Sequence, residues 1–337
     1  MAYAIKKGSD YFNTVTYTGT GASRDITVGF SPDLVWVKNR TSAYQHQVSD
    51  SVRGTSKVIY PSATTAEASD PNAVTAFLSD GFTYGSSVNG NESSASIVAW
   101  NWKGGESTVE NTDGSITSQV SANPTSGFSV VKWTGTGSAG TIGHGLSATP
   151  QFIIVKNLTY GVNWRVYHVA SGGTKYYSFN LNNAEGTSSL PWNNTAPTSS
   201  VFSVGTEDNT NRSSDEFVAY VWAPVAGYSK FGYYEGNSNA DGTFVYTGFR
   251  PQFFMMKPTN TANSWIFLDT ARDGESNTID LRLLANTTDA ENNSPTGYVD
   301  FYSNGFKLRY NGAYNSSSYD YLYMAFGSTP FKYANAL

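Results

Sequence analysis

A seven-residue pattern occurs three times in this chain of 337 residues. Each copy has a proline, one polar residue, four apolar residues and a lysine, in the segments Pro32–Lys38, Pro150–Lys156 and Pro251–Lys257. A short apolar run of β-forming residues that is entered by a proline is typical of a buried strand. Three such copies predict an internal triplication in which each strand organises one unit.

Further residues recur in register with this strand. Eight residues past each lysine lie His46, Trp164 and Trp265, and four residues further on lie Asp50, His168 and Asp269. Each unit then closes on an apolar or aromatic segment, namely Ile97–Trp100, Phe217–Tyr220 and Tyr323–Phe326. The predicted unit boundaries are 1–104, 105–227 and 228–337.

The fold class that these patterns indicate is all-β. No long segment spaces its apolar residues at three and four positions, as an amphipathic helix requires. Units of this size, with many short strands, suit a β-sandwich or jelly roll better than a propeller blade. We therefore expect three tandem antiparallel β-sandwich or jelly-roll-like repeats, with strands shared between units as the alternative.

Composition excludes several classes of protein. Charged residues make up 14% of the chain, the net charge is −5, and there is no cysteine. An acidic chain without a basic run does not suit nucleic-acid binding, and the absence of cysteine removes disulfides and thiol chemistry. No apolar run is long enough for membrane insertion, and the first residues do not resemble a secretory signal. A polar, uncharged surface without an export signal favours a virion protein that assembles in the host cytoplasm and leaves by lysis.

Six short segments carry a family resemblance, namely Thr112–Ile116, Gly143–Leu146, Ile153–Asn157, Tyr228–Gly232, Val245–Pro251 and Ser303–Arg309. They resemble a repeat domain of unassigned function from structural proteins of tailed bacteriophages. That domain is found especially in marine and cyanobacterial phages, in proteins described as tail or tail-fibre proteins. The resemblance implies a location on the virion surface and brings no catalytic residue. Because the repeats begin by about residue 11, a short appendage, fibre tip, knob or decoration protein is favoured over a long fibre.

The sequence predicts neither catalysis nor a cofactor. The histidines His46, His144 and His168 lack metal-ligand spacing, so no metal site is expected. Asp50 and Asp269 could be read as the carboxylate pair of a glycoside hydrolase. They are, however, equivalent positions of two units, and we expect each to cap the turn before Arg53 or Arg272.

The repeated lysines Lys38, Lys156 and Lys257 allow two interpretations. They could bind phosphate or an acidic glycan, or each could lay its stem across neighbouring aromatic rings with its amine in water. We expect the second. The glycosylation-like tripeptides that begin at Asn39, Asn91, Asn157 and Asn211 are expected to be chance matches.

Aromatic residues in variable polar loops are the predicted ligand-binding residues. Tyr160, Trp192 and Tyr314 lie in such loops, where a sugar could stack on a Trp or Tyr ring. The alternative is that each ring packs its own loop onto the sandwich.

The expected function is that of a non-enzymatic virion structural protein with a role in host-surface adhesion. Its expected partners are other tail or capsid proteins, further copies of itself with a trimer favoured, and a host-surface glycan. Several weak sites on one particle can together give strong attachment. A tail depolymerase that acts on glycans and a capsid decoration protein without a receptor remain the alternatives.

Overall fold

The computed structural model describes residues 5–274, 277–293 and 297–328. Its strands pair in antiparallel sheets, so the predicted all-β class is confirmed. Among these residues no helix has the length and apolar character needed to cross a membrane.

Each of the three predicted units consists of short strands and one or two very short helices among the described residues. Unit 1 contains the 3-10 helix η1 (Gly8–Asp10), β1 (Phe12–Thr18), β2 (Arg24–Thr27), β3 (Leu34–Asn39), β4 (Gln47–Asp50), β5 (Lys57–Val58), β6 (Ala68–Ser69), β7 (Val74–Leu78), β8 (Gly81–Tyr84), α1 (Val88–Asn91) and β9 (Ser96–Trp102). Unit 2 contains β10 (Val109–Asn111), β11 (Ser118–Asn123), β12 (Phe128–Thr134), β13 (Gly140–Gly143), β14 (Phe152–Asn157), β15 (Arg165–His168), β16 (Lys175–Ser178), β17 (Gly186–Thr187), β18 (Val201–Val204), α2 (Asp208–Asn211) and β19 (Glu216–Trp222). Unit 3 contains β20 (Ser229–Glu235), β21 (Phe244–Tyr246), β22 (Pro251–Pro258), β23 (Ile266–Asp269), α3 (Thr270–Asp273), β24 (Leu281–Leu284), β25 (Asn292–Asn293), β26 (Val299–Tyr302), β27 (Gly305–Leu308) and β28 (Asp320–Gly327).

The same strand order recurs in the larger sheet of every unit. An opening strand pairs with the closing strand, which pairs with the organising strand and then with the strand that follows it. The three runs are β1-β9-β3-β4, β12-β19-β14-β15 and β20-β28-β22-β23. Each unit adds a smaller sheet, formed by β2-β8-β7, β13-β18 or β21-β27-β26.

The organising strands are buried on both faces, which explains their continuous apolar runs. In β3, Leu34 and Trp36 point into a core that contains residues of all three units, whereas Val35 and Val37 point into the core of unit 1 alone. Strands β14 and β22 alternate in the same way between the shared core and their own cores. A strand that lies between two apolar layers has apolar residues at successive positions, whereas a strand with one wet face has them at every second position.

The shared core is mainly aromatic. The Phe12 ring of unit 1 lies 5.4 Å from the Phe253 ring of unit 3, and the Trp102 ring of unit 1 lies 5.8 Å from the Trp222 ring of unit 2. The Phe152 ring of unit 2 lies 6.2 Å from the Phe231 ring of unit 3. All three pairs of units are therefore in direct contact around one apolar centre.

Candidate functional site

The repeated lysines lie at the contacts between units, with their side chains fully buried. Each amine donates to a main-chain carbonyl of another unit: Lys38 to Thr288 at 3.2 Å, Lys156 to Thr64 at 3.0 Å and Lys257 to Asn182 at 3.3 Å. Burial lowers the pKa of all three amines to about 8. The prediction that these amines reach water was wrong, because carbonyls from two units replace the water.

The direction of these bonds closes a ring within one chain. Unit 1 reaches unit 3, unit 2 reaches unit 1, and unit 3 reaches unit 2. The accepting carbonyls belong to three segments that share an Ala-Glu ending, Thr64–Glu67, Asn182–Glu185 and Thr288–Glu291, here called the Ala-Glu segments. The glutamate N–H of each segment donates back to the residue two places after the lysine, at Leu158, Thr259 and Arg40. The same pair of contacts thus occurs at all three interfaces.

The second set of repeated residues binds the chain just before the same segments. The Nε1 of Trp164 donates to the Tyr60 carbonyl at 3.2 Å, and the Nε1 of Trp265 donates to the Ser178 carbonyl at 3.3 Å. His46 takes this place in unit 1, and its Nε2 lies 3.1 Å from the Leu284 carbonyl. Each acceptor lies four residues before the first residue of an Ala-Glu segment.

All three histidines are buried, and their hydrogen bonds favour one neutral tautomer. The Nδ1 of His46 accepts a hydrogen bond from the indole N–H of Trp36, so its proton lies on Nε2, facing Leu284. Nδ1 of His144 and of His168 accepts from a main-chain N–H, and Nε2 faces a carbonyl. Burial lowers the pKa of His168 to about 4 and lowers that of His46 well below its usual range. The charged form of these rings is therefore disfavoured.

The two repeated aspartates cap turns, as the sequence predicts. Asp50 accepts from the main-chain N–H of Arg53 at 2.9 Å, and Asp269 accepts from that of Arg272 at 3.0 Å. The same carboxylates pair with the arginine side chains at 2.5 and 2.6 Å. These arginines then reach Glu67 and Glu291, the last residues of two Ala-Glu segments.

The position of the aspartates also explains why unit 2 carries a histidine there. Asp50 accepts a hydrogen bond from Tyr220 at 2.8 Å, and Asp269 accepts one from Trp100 at 2.9 Å. Met324 occupies the corresponding place on the third closing strand, and a thioether has no proton to donate. His168 instead faces the Tyr323 carbonyl, 3.4 Å from its Nε2. Units 1 and 3 therefore carry an aspartate, an acceptor, because the neighbouring strand supplies a donor. Unit 2 carries a histidine, a donor, because the neighbouring strand supplies only a carbonyl.

The arrangement of these residues offers little to a reacting substrate. Their polar atoms are buried and bonded to the chain itself, and among the described residues no group of three or more His, Asp or Glu side chains could hold a metal ion. Asp50 and Asp269 lie at different interfaces. This placement agrees with turn capping and does not bring them together as a carboxylate pair.

The asparagines of the four glycosylation-like tripeptides are also buried. Asn91 accepts from the main-chain N–H of Thr20 at 2.8 Å, and Asn211 does the same for Thr136 at 2.9 Å. Both thereby hold a Thr-Gly-Thr-Gly turn of their own unit, Thr18–Gly21 in unit 1 and Thr134–Gly137 in unit 2. A buried, fully bonded amide is not open to attachment of a sugar. The prediction that these are chance matches was wrong in its reason, because the asparagines occupy equivalent positions of units 1 and 2 and make the same bonds there.

A groove with a volume of about 890 Å³ lies beside Asp33, Phe77 and Lys103. Asp33 accepts from Ser51 at 2.6 Å, from Ser121 at 2.7 Å and from the Gly104 N–H at 2.7 Å. Burial raises the pKa of Asp33. Because its acceptors serve two units and the segment between them, Asp33 anchors that connection and does not present a free carboxylate to the groove.

The predicted ligand-binding residues have unlike surroundings. Trp192 is 1% exposed and packs against Tyr167, whereas Tyr314 is 3% exposed and donates to Asn263 at 3.1 Å. Both rings hold their own loops, as the alternative expectation has it, and neither offers a face for stacking. Tyr160 is 47% exposed.

Tyr160 belongs to a surface pair that has no like counterpart in unit 1. The guanidinium carbon of Arg212 lies 3.9 Å from the centre of the Tyr160 ring. Asn157 orients the loop by accepting from the Tyr160 N–H at 2.8 Å, and its own amide donates to Asp215. In unit 1 the same two places hold Ser42 and Glu92, joined by a 2.7 Å hydrogen bond. The loop geometry is kept while the exposed chemistry changes.

The chain belongs to the family described as a domain of unknown function, DUF7483, whose model matches residues 7–330. The match spans all three units. No curated protein matches the chain.

Proposed function

We propose that this chain is a non-enzymatic structural protein of a tailed-bacteriophage particle, exposed on the virion surface as a short appendage, tip, knob or decoration, and that it contributes to host-surface adhesion. The observation that carries the structural part is the closed ring of inter-unit contacts. Residues that could serve chemistry, namely lysine, histidine and aspartate, recur in the units and are engaged in holding the units together.

The virion location rests on the sequence resemblance to phage structural repeats. A ring that closes within one chain suits exposure outside the cell, because its parts are held together by hydrogen bonds and apolar packing in a chain without cysteine. The three units already surround their own core, so any trimer of chains would form through outer surfaces. Homo-oligomerisation, with a trimer favoured, is part of the proposal.

The adhesive part rests on exposed side chains that differ between units. The Tyr160–Arg212 pair combines an open aromatic ring with a guanidinium group, and both groups can contact a sugar or a polar macromolecule. Many weak contacts on one particle would add to firm attachment.

Immunogold labelling of intact phage particles tests the location. Gold on the tail or capsid supports the proposal and separates an appendage from a capsid decoration, whereas particles that carry no label contradict it. Adsorption of particles with Tyr160→Ala then tests the adhesive role of the pair. Unchanged adsorption would remove the pair from the proposal.

The depolymerase alternative is tested with purified protein. Host-surface polysaccharide is incubated with the chain, and newly formed reducing ends are measured. We expect no increase over buffer. A steady increase that survives further purification would contradict the non-enzymatic proposal.

A further inference from the structure

We propose that the outer sheet of unit 3 carries a binding platform for a neutral pyranose of a glycan, formed by Phe244, Tyr246 and Tyr302 with Asp300, Lys307 and Arg309. This inference deepens the adhesive part of the proposed function, but its test uses purified protein and needs no virion. These six residues are called the platform below.

The strand register places the platform side chains on one face of the sheet β21-β27-β26. Phe244 pairs with Lys307, which pairs with Asp300, and in the next row Tyr246 pairs with Gly305, which pairs with Tyr302. Residues two apart on a strand point to the same face. The intervening Val245, Phe301 and Phe306 point into or pack on the core of unit 3, so the platform faces outwards.

Two of the three aromatic rings of the platform are open to solvent, and the Tyr302 ring is partly so. Phe244 is 45% exposed and Tyr246 is 59% exposed. The Phe244 and Tyr302 ring centres lie 6.1 Å apart with their planes at 67°. Gly305 leaves room between them, because a Cβ at this position would lie 2.8 Å from the Phe244 ring. The two rings are therefore in edge-to-face contact, and a sugar would stack on their outer surface.

The polar side chains of the platform are held in place by one another. Arg309 pairs with Asp300 at 2.5 Å and donates to the Tyr302 hydroxyl at 3.0 Å. Lys307 pairs with Asp241 at 2.5 Å. Since Lys307 and Arg309 each have an anionic partner, the platform itself offers hydrogen-bonding groups with little net charge, which suits a neutral sugar better than an acidic one. The amine of Lys230 lies 5.4 Å from the centre of the Tyr246 ring, on one of its faces, and leaves the other face for a sugar.

One carboxylate oxygen of the platform lacks a donor. Asp300 is 6% exposed, and its Oδ1 is buried without a hydrogen-bond partner in the part of the chain that the structure describes. A buried acceptor without a donor is unfavourable. The hydroxyl groups of a sugar are donors that could satisfy it once the neighbouring side chains adjust.

The platform is specific to unit 3. The residues that hold the places of Phe244 and Tyr246 are Asp25 and Thr27 in unit 1, and Thr141 and Gly143 in unit 2. Architecture therefore does not require aromatic residues here. Exposed aromatic rings on a sheet that folds without them in its sister units indicate recognition.

The size of the platform argues for a sugar and against a protein partner. A stable protein interface buries about 800 Å² on each side. A fully buried aromatic side chain contributes about 150–250 Å², so two roughly half-exposed rings and the less exposed Tyr302 ring supply well under half of that area. A pyranose, which stacks on one or two rings, needs no more.

The test is binding of the purified full-length chain to a microbial glycan array, followed by titration of the best neutral oligosaccharide with saturation-transfer-difference NMR. We expect binding that weakens at least tenfold in the Phe244→Asp, Tyr246→Thr double variant, which installs the unit 1 residues. Asp300→Asn is expected to weaken it several-fold. The control Tyr233→Thr removes a ring that is also 59% exposed and is expected to bind like the wild type.

Three outcomes would overturn the platform. They are an array without any neutral glycan bound, binding that the double variant leaves unchanged, and a lower mass of the double variant in light scattering, which would make this face a contact between chains. Circular dichroism checks that the variants are folded. Failure here leaves the particle-labelling test of the proposed function unaffected, so the two can fail separately.

Discussion

The interfaces between the units and the outer faces of the units follow opposite rules. At the interfaces, the lysine, the Trp or His and the Ala-Glu segment recur in every unit with the same bonding direction. On the outer faces, Ser42 and Glu92 of unit 1 become Tyr160 and Arg212 of unit 2. The difference teaches that repetition in this chain preserves shape, and that recognition is to be sought where the units differ.

The largest effect is expected at a buried arginine that holds two residues of the interface between units 1 and 3. Arg272→Ala removes the side chain that joins Asp269 to Glu291, and both of these also bond unit 1, through Trp100 and Arg40. Glu291 keeps Arg40 in the variant, whereas the buried charge of Asp269 is left without a cation. Such a loss costs about 3–5 kcal/mol of stability. Urea unfolding followed by tryptophan fluorescence measures it.

The matched control for Arg272→Ala is Lys132→Ala, which breaks a pair with Glu216 whose side chains are 32% and 42% exposed. An exposed pair contributes about 0–1 kcal/mol. Equal losses in the two variants would show that the buried arginine behind this interface contributes no more than an exposed ion pair.

Low pH is expected to destabilise the interface between units 2 and 3 through His168. The folded pKa of His168, about 4, lies below its unfolded value of 6.5. The unfolded chain therefore binds the proton first, and stability falls as pH drops from 6.5 towards 4, by up to about 3 kcal/mol. Unfolding free energies of wild type and His168→Gln at several pH values measure this, and the variant is expected to show the shallower slope. Parallel slopes would contradict a neutral, buried His168.

A smaller loss is expected when a lysine bond between units is removed. Lys156→Met leaves the Thr64 and Val162 carbonyls without their donor, at a cost of about 1–3 kcal/mol, partly offset because a buried charge is also removed. The control Lys230→Met loses an exposed bond within unit 3 and should change stability by less than about 0.5 kcal/mol. A Lys156→Met variant as stable as the control would show that the repeated lysines do not stabilise the contacts between units.

The smallest effect on stability is expected at the variable loop of unit 2. Tyr160→Ser installs the residue of unit 1 on an exposed loop and should change stability by less than about 0.5 kcal/mol. Trp192→Ala, in a loop of the same unit, removes a buried ring and should cost about 3–5 kcal/mol. Thermal melts of both variants test this contrast. A large loss for Tyr160→Ser would mean that its ring supports the fold.

The sequence predicts the all-β class and the organising strands because these depend on local apolar patterns. It does not reveal that Lys38 and its equivalents are buried, since a lysine after a strand also suits a surface position, and the accepting carbonyls lie far away in the chain. The sequence does contain one sign of the inter-unit contacts, because the Ala-Glu ending recurs at 66–67, 184–185 and 290–291. It is easily missed, since short polar segments in loops have no periodicity that marks them.

The candidate sites were predicted less well for the same reason. An aromatic residue in a polar loop predicts exposure only if nothing in the fold covers it, and Trp192 and Tyr314 are covered by their own units. Phe244 and Tyr246 alternate with Val245 as an ordinary half-buried strand would. These two rings stand out only when the strand register of unit 3 is compared with that of unit 1, where Asp25 and Thr27 occupy the same places.

Differential scanning calorimetry of the wild-type chain tests the closed ring most directly. Three units that share one core and three interlocking interfaces should unfold together, in a single transition whose calorimetric and van 't Hoff enthalpies agree. Two or three separate transitions, each with the enthalpy of one unit, would show that the units are independent domains and would contradict the account.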